Sequence, residues 1–255
     1  MSLILWSGGC DSSLLLFEQA TKALAAGDPM PRALSINYDE QINAGEQQRK
    51  VRAAFLKELA RRGMKIEATE LEIRKQGEGY VQRNGLPQSC FWLSLAQTFL
   101  EEEEDLYLGY VRGDDIWHRR SELIWIFDNT QTILRKTGKL FMPFEWVAKD
   151  EVLKDLAAAR LDKLVWYCEC VRPGEKKPCG WCPSCKSMSA AKHLAKRKWG
   201  YDKPPEPEKE DEPKKNSAAR RRGQAQRKTP LSRGRRSRKA GETQKREAAR
   251  QRRLR

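Results

Sequence analysis

The chain has 255 residues and a formal net charge of +15, and 33% of its residues are charged. The charge is uneven, because residues 203–255 carry 20 basic and 7 acidic side chains, whereas residues 1–202 carry 30 and 28. No apolar run approaches the roughly 18–20 residues that span a bilayer, and the first residues lack the features of a signal peptide. We therefore expect a cytoplasmic protein that contacts no membrane.

Strand-like and helix-like segments alternate through the first 165 residues. The predicted strands are Leu3–Trp6, Ala33–Tyr38, Lys65–Ile73 and Asp105–Val111, with a short extended segment at Lys139–Trp146. The predicted helices are one ending at Gly27, then Glu46–Arg62, Phe91–Leu100, Leu123–Leu134 and Lys149–Leu161. Loops are predicted at Gly77–Gly85 and Arg112–Arg120. This alternation predicts an α/β fold, a Rossmann-like and mainly parallel sheet with helices on both faces.

The loop between the first strand and the first helix, residues 6–13, reads Trp-Ser-Gly-Gly-Cys-Asp-Ser-Ser. Its glycines let backbone amides approach an anion at the start of a helix, where N–H groups are free. Ser7, Ser12 and Ser13 add hydroxyl donors, and Asp11 offers a carboxylate for a Mg²⁺ ion that bridges phosphates. The pattern predicts a phosphate-binding loop; the alternative is an ordinary glycine-rich turn that caps a helix.

Five of the seven cysteines lie within eighteen residues: Cys168, Cys170, Cys179, Cys182 and Cys185. Without a secretion signal, this clustering favours a metal site in a reducing compartment over disulfides. The Cys-x2-Cys-x2-Cys run and one earlier cysteine, either Cys168 or Cys170, can form the closed shell of a structural zinc site. The alternatives are an iron–sulfur cluster and a set of unliganded buried cysteines.

The last fifth of the chain has no aromatic residue and several arginine clusters, so it cannot bury enough apolar surface to fold. We expect a disordered basic tail that binds nucleic acid without sequence preference, with an affinity that falls steeply with salt. The alternative is a solvated tail that only aids solubility. The predicted organisation is an ATP-binding α/β domain at 1–165, a cysteine knuckle with a terminal helix at 166–201, and the tail at 202–255.

The string Ser-Gly-Gly-x-Asp-Ser after an N-terminal strand resembles the signature of the PP-loop ATPases. The resemblance implies an enzyme that cleaves ATP between its α and β phosphates and adenylates a substrate oxygen. It assigns reaction roles to Ser7, Asp11 and Ser12, with Mg²⁺ as the cation. It assigns ATP binding to Trp6, Ser7, Gly8, Gly9, Cys10, Asp11, Ser12, Ser13, Leu14, Leu15 and Leu16.

Further segments resemble the QueC-like 7-cyano-7-deazaguanine synthases of queuosine biosynthesis, over roughly residues 3–188. They are the Phe-Trp-Leu-Ser-Leu-Ala run at 91–96, the Leu-Tyr-Leu-Gly run at 106–109, and the Pro-leading segment at 143–152. The resemblance implies a ligase that uses ATP and ammonia to convert 7-carboxy-7-deazaguanine to an amide and then to a nitrile. It also implies Zn²⁺ held by Cys170, Cys179, Cys182 and Cys185, because Val-Arg-Pro follows Cys170 much as in that family.

Three segments depart from the family pattern, at residues 38–43, 86–90 and 114–120, and all lie where a substrate pocket is expected. A base already in tRNA or DNA, or a protein carboxylate, therefore stays open as the substrate. Lys149 is either a phosphate contact, which would make it a catalytic residue, or a solvated lysine at the start of a helix. The sequence leaves the oligomeric state open, a homodimer included.

Overall fold

The computed structural model describes residues 1–38, 42–73, 88–114, 117–171, 175 and 177–200. The chain divides between Glu206 and Pro207. The loop predicted at 77–85, the tail, and parts of the three segments that depart from the family pattern lie outside the described residues. Segment 166–200 belongs to the same unit as the sheet. No helix in the described part of the chain combines the length and apolar character needed to cross a membrane.

The described residues form five strands and six α-helices, which alternate as predicted. The strands are β1 (Ser2–Leu5), β2 (Arg32–Tyr38), β3 (Glu67–Ile73), β4 (Asp105–Leu108) and β5 (Leu140–Phe141). The helices are α1 (Cys10–Ala26), α2 (Ile42–Arg61), α3 (Gln88–Thr98), α4 (Arg120–Leu134), α5 (Lys149–Ala158) and α6 (Pro183–Trp199). A single 3-10 turn, Trp117–Arg119, precedes α4.

All five strands belong to one sheet in the order β3-β2-β1-β4-β5, and every pairing is parallel. The chain winds outward from β1 to β3 and then returns to place β4 on the other side of β1. The crevice beyond the carboxyl ends of β1 and β4 is therefore the topological switch point, where open α/β sheets bind ligands. The predicted α/β fold with a parallel sheet is confirmed.

Helices cover both faces of the sheet, because neighbouring residues on a strand point to opposite sides. Ile4 and Ala33 pack into one core with residues of α1, α2, α5 and α6. Leu3 and Leu34 pack into a second core with residues of α3 and α4. Met188 of α6 is buried in the first core, so the helix after the cysteines is anchored to the sheet domain.

Three predicted strands are shorter in the structure, and β3 begins at Glu67 instead of Lys65. β4 ends at Leu108 instead of Val111, since the Val111 N–H donates to the Asp114 carboxylate at 3.1 Å and turns the chain. Of the extended segment predicted at 139–146, only Leu140 and Phe141 pair with β4 before the chain turns. The turn after β4 places Asp114 at the crevice of the switch point.

Candidate nucleotide site and four-cysteine cluster

The glycine-rich loop lies at the carboxyl end of β1 and runs directly into α1. The Trp6 N–H donates to the Leu34 carbonyl at 2.8 Å, which extends the sheet pairing up to the loop. Gly9 caps α1, and no side-chain hydrogen bond occupies this cap. The first N–H groups of the helix and its positive dipole end therefore face the crevice, as in an anion site.

Hydrogen bonds within the loop hold its serines in place. The Ser7 and Ser12 hydroxyls are 3.1 Å apart, and the Gly9 N–H donates to the Ser7 hydroxyl at 3.2 Å. The Trp6 indole N–H donates to the buried Ser13 hydroxyl at 2.9 Å. Gly8 has a φ of 83°, which an L side chain rarely adopts. The loop thus presents Ser7 and Ser12 to the crevice and fixes Ser13 in the core.

Asp11 and Lys149 form an ion pair at the start of α1, although 138 residues separate them in sequence. The Ala148 N–H donates to the Glu151 carboxylate at 2.9 Å, which fixes the first turn of α5 and aims Lys149 at the loop. A second carboxylate, that of Asp114, lies 3.9 Å from the Lys149 ammonium. Lys149 therefore contacts the loop rather than solvent.

Burial and mutual attraction shift the pKa values of these charged groups. Desolvation raises the pKa of the Asp11 carboxyl above its ordinary value, even though Lys149 opposes the shift. Burial alone would lower the pKa of Lys149, but the charges of Asp11 and Asp114 outweigh it, so that pKa is raised. Asp11 Oδ1 is buried and has no hydrogen-bond partner. An unpartnered carboxylate oxygen beside a lysine and a helix N-terminus fits a Mg²⁺–phosphate group.

A cavity of about 140 Å³ opens at these residues, between the ends of β1 and β4. Its polar wall comprises Ser7, Asp11, Ser12 and Asp114. Its apolar wall comprises Leu5, Trp6, Ile36, Trp92, Leu108 and Tyr110, with Gly109 between the two walls. The arrangement suits a ligand with a flat apolar part and an anionic part.

The predicted ATP-binding residues divide into two groups in the structure. Trp6, Ser7, Asp11 and Ser12 line the cavity. In contrast, the side chains of Leu14, Leu15 and Leu16 are buried in the first core, where they cannot touch a ligand. Cys10 is buried as well, and burial raises the pKa of its thiol to about 12, so the thiol stays protonated and unreactive.

Gly109 leaves the space that α1 needs against β4. A Cβ at this position would lie 2.7 Å from the Ser12 backbone nitrogen and 2.9 Å from the Asp11 carbonyl carbon. Backbone atoms cannot yield as a flexible side chain can, so the start of α1 would have to move. The close approach explains a glycine at the end of β4.

Gly109→Ala is expected to destabilise the protein by about 2 kcal/mol and to weaken Mg·ATP binding. Urea unfolding and isothermal titration calorimetry measure the two effects. Gly45→Ala is the matched control, because among the described residues a Cβ there would meet only the Arg49 guanidinium at 3.7 Å; it is expected to stabilise by roughly 0.5–1 kcal/mol. Equal stability of the Gly109→Ala variant and the wild type would contradict the close approach.

A buried arginine supports the loop from behind, and the sequence analysis did not identify it. Arg52 of α2 is 1% exposed and donates to the Ser7 carbonyl at 3.1 Å, to Asn37 Oδ1 at 2.9 Å and to Glu70 Oε1 at 3.0 Å. Helical spacing could have indicated that Arg52 is buried, because Arg52 lies three residues before the buried Phe55 and so falls on the apolar face of α2.

Arg52→Ala is expected to cost about 3 kcal/mol of unfolding free energy, since it removes a buried side chain, leaves the buried Asn37 Oδ1 without this donor and breaks two part-buried bonds, to the Ser7 carbonyl and to Glu70. Arg49→Ala removes an exposed pair with Glu72 on the same helix and should cost less than about 0.5 kcal/mol. Urea unfolding of both variants checks the difference. Similar losses of unfolding free energy in the two variants would show that the buried hydrogen bonds of Arg52 do not stabilise the protein.

The structure brings four of the five clustered cysteines together, and the earliest of the four is Cys168 rather than Cys170. The sulfurs of Cys168, Cys179, Cys182 and Cys185 all lie within 4.8 Å of one another. Cys170, which the family resemblance favoured, is outside this group, whereas Cys168 is fully buried within it. The physical reason is the Cys179 N–H, which donates to the Cys168 sulfur at 3.2 Å and holds that sulfur inward.

The spacing of the sulfurs fits one tetrahedral ion. Metal–sulfur bonds of about 2.3 Å place the sulfurs of a tetrahedron about 3.8 Å apart. Cys179 Sγ and Cys185 Sγ are 3.8 Å apart. An iron–sulfur cluster places several atoms between its thiolates and holds them further apart, so this geometry favours a single ion. The N–H groups of Cys182 and Cys185 donate to neighbouring sulfurs at 3.4 Å, which supports thiolates.

The cysteine cluster and the glycine-rich loop are joined through Trp166. The Trp166 backbone N–H donates to the Gly8 carbonyl at 2.9 Å, and its indole N–H donates to the Cys168 carbonyl at 2.8 Å. Trp166 also packs in one apolar cluster with Cys182 and with Val51 of α2. A single residue, Trp166, therefore contacts both the glycine-rich loop and the segment that carries Cys168. Loss of structure at the four-sulfur site should for that reason also disturb the loop.

Comparisons with known proteins identify no family for this chain. No protein-family model and no curated protein matches the chain, whereas six solved chains do. One is the U34-tRNA thiolase NcsA from Methanococcus maripaludis with its [4Fe-4S] cluster, at 16% identity and a TM-score of 0.44. The alignment covers 77% of this chain and 65% of that one. At this similarity, neither the reaction nor the cluster of that protein is transferred to the present chain.

Proposed function

We propose that the protein is an ATP-dependent adenylating enzyme of the PP-loop kind, with its nucleotide site at the switch point between β1 and β4. The observation that carries the proposal is the buried, unpartnered Oδ1 of Asp11, held beside Lys149 at the uncapped start of α1. Mg·ATP would supply a cation for the free Asp11 oxygen and an anion for Lys149 and the first amides of α1. Mg²⁺ would neutralise charge between phosphate oxygens when bound.

Each polar residue at the site would have its own role in the transfer of the adenylyl group. Ser7, Ser12 and the first amides of α1 would donate to the departing pyrophosphate, and Asp11 would hold Mg²⁺. Lys149 would leave Asp11 for a phosphate oxygen, with Asp114 keeping it charged. A carboxylate oxygen of the substrate would attack the α-phosphorus as the bond to pyrophosphate breaks, leaving an acyl-adenylate.

We propose 7-carboxy-7-deazaguanine as the first candidate substrate, on the strength of the sequence resemblance and of the apolar wall beside the loop. Trp92 and Ile36 there can pack on a flat heterocycle. Ammonia would displace AMP from the acyl-adenylate to give the amide. A second ATP would adenylate the amide oxygen with release of pyrophosphate, and cleavage of the carbon–oxygen bond would then release AMP and two protons and leave the nitrile. The enzyme would then be a carbon–nitrogen ligase of 7-deazaguanine synthesis.

We also propose that the four-sulfur site holds Zn²⁺ in a structural role. A complete thiolate shell leaves no position open for substrate or water, so the ion would take no part in the reaction. It would order residues 168–185 and, through Trp166, the Gly8 carbonyl.

Mass spectrometry of the products tests the substrate proposal. The protein is incubated with Mg·ATP, ammonium and 7-carboxy-7-deazaguanine, and the expected result is conversion to the amide or to the nitrile. Unchanged substrate, in a preparation shown by calorimetry to bind Mg·ATP, would exclude 7-carboxy-7-deazaguanine as the substrate. The proposed nucleotide site would not be affected by that result.

The second candidate substrate is a base within a nucleic acid, and the charge distribution favours it. Residues 203–255 carry a net charge of +13, enough to recruit a polyanion to the adjacent domain. Removal of these residues is then expected to raise KM for the polymer at low salt and to change it little at high salt. An identical salt dependence with and without the tail would reject recruitment by the tail.

A further inference from the structure

We propose that Trp117, Arg120 and Trp146, here termed the indole–arginine platform, bind an unpaired base of a single-stranded nucleic acid at the rim of the nucleotide site. The proposal rests on the adenylating function above and names the class of its second substrate. It is carried by the geometry of three side chains that the fold and the proposed ATP chemistry leave unused.

The three side chains form one stacked unit. The Arg120 guanidinium lies 5.2 Å from the centre of the Trp117 ring and 5.0 Å from that of Trp146. The two indoles meet edge to face, with centroids 5.6 Å apart. Glu145 fixes the unit, because the Trp146 indole N–H donates to its carboxylate at 3.0 Å and Arg120 lies 3.4 Å from that carboxylate.

The unit is open to solvent where a base could stack. Trp146 is 58% exposed, although its indole is held in a defined orientation. An exposed indole that is held in one orientation offers a base a ready stacking surface. Arg120, which lies 5.0 Å from the centre of the Trp146 ring and is paired with Glu145, holds that indole in place.

The platform borders the proposed reaction site. The Trp117 backbone N–H donates to the carbonyl of Asp114, whose side chain lines the cavity. On the other side, Trp146 lies three residues before Lys149, which is paired with Asp11. A base stacked on Trp146 would therefore place its neighbours close to the phosphate loop.

Charges of both signs lie near the platform, because the carboxylates of Asp114 and Glu145 accompany the cations there. Arg112, His118 and Arg119 are exposed on the connection between β4 and α4. Attraction of a polyanion therefore falls mainly to the basic tail, whose net charge is +13. The basic tail contains no aromatic residue, so it can attract a strand but cannot stack its bases. The platform supplies the stacking contact that the tail lacks.

Fluorescence anisotropy with the full-length protein tests the platform. The probes are a labelled single-stranded RNA of about 20 nucleotides and a DNA of the same sequence, at about 0.05 M and 0.3 M salt without nucleotide. Trp146→Ala is expected to weaken binding about tenfold for at least one probe, and by the same factor at both salt concentrations, because stacking is not screened. Trp146→Phe should recover most of the loss.

Trp125→Ala is the matched control, since Trp125 is a tryptophan of α4 outside the platform and is 67% exposed. Equal affinities of the Trp146→Ala and Trp125→Ala variants for both probes would overturn the proposal. A comparable loss for labelled polyglutamate would also overturn it, because the surface would then bind any polyanion or acidic protein. The assay contains no ATP, so an inactive phosphate loop would leave its result unchanged.

Discussion

Asp11→Asn is expected to lower ATP turnover by at least about a hundredfold, while the protein stays folded and keeps its metal. The amide has nearly the shape of the carboxylate but cannot balance Lys149 or hold Mg²⁺. Of the described carboxylates paired with the Lys149 ammonium, Asp114 at 3.9 Å would then be the one left to oppose its charge. Initial rates of AMP release with saturating substrate measure the loss.

Asp28→Asn provides the control, because Asp28 is exposed in the turn before β2, at the opposite end of the strands. Its turnover should equal that of the wild type. Lys149→Met should resemble Asp11→Asn, whereas Asp114→Asn should have a smaller effect. Full turnover in the Asp11→Asn variant would mean that the pair plays no part in the reaction.

Cys168→Ser and Cys182→Ser are each expected to remove the metal and, with it, most of the affinity for Mg·ATP. Loss of one thiolate from a closed shell should lower metal affinity at least about a hundredfold. The segment that carries Trp166 then loses its anchor, and the Gly8 carbonyl loses the N–H that lies 2.9 Å away. Elemental analysis for zinc and calorimetric titration with Mg·ATP measure the two losses in one preparation.

The Cys170→Ser variant tests which cysteine is the first metal ligand: Cys168, as the structure indicates, or Cys170, as the family resemblance implies. Cys170 lies two residues from Cys168, but its sulfur is outside the group of four. The variant should therefore keep one metal ion per chain and bind Mg·ATP as the wild type does. Metal loss in Cys170→Ser with retention in Cys168→Ser would reverse the assignment.

The sequence predicted the order of the elements because each depends on local patterns. The helix ending at Gly27 was predicted from its spacing and its glycine, and the structure has Gly27 in the left-handed conformation with φ 71°. The strand predicted at 33–38 differs by one residue from β2. α2 begins four residues before its predicted start, since its first turn contains Asn43 and Gly45, whose weak helix propensity gives no helical signal.

Contacts between distant segments could not be predicted in this way. The Asp11–Lys149 pair and the Arg52–Ser7 contact depend on how α5 and α2 approach the loop. The choice between Cys168 and Cys170 depends on one backbone N–H, that of Cys179, which sequence spacing does not reveal. Trp117 and Trp146 meet only because the connections after β4 and β5 lie side by side.

The most direct test of the nucleotide site is the identity of the products formed from Mg·ATP. ATP is incubated with the full-length protein, ammonium and 7-carboxy-7-deazaguanine, or with single-stranded RNA or DNA in place of that acid, and the nucleotides are separated by chromatography. We expect AMP and pyrophosphate in equal amounts in at least one mixture, and neither with the Asp11→Asn variant. ADP and phosphate as the products, or AMP release that persists in Asp11→Asn, would contradict adenylation at this loop.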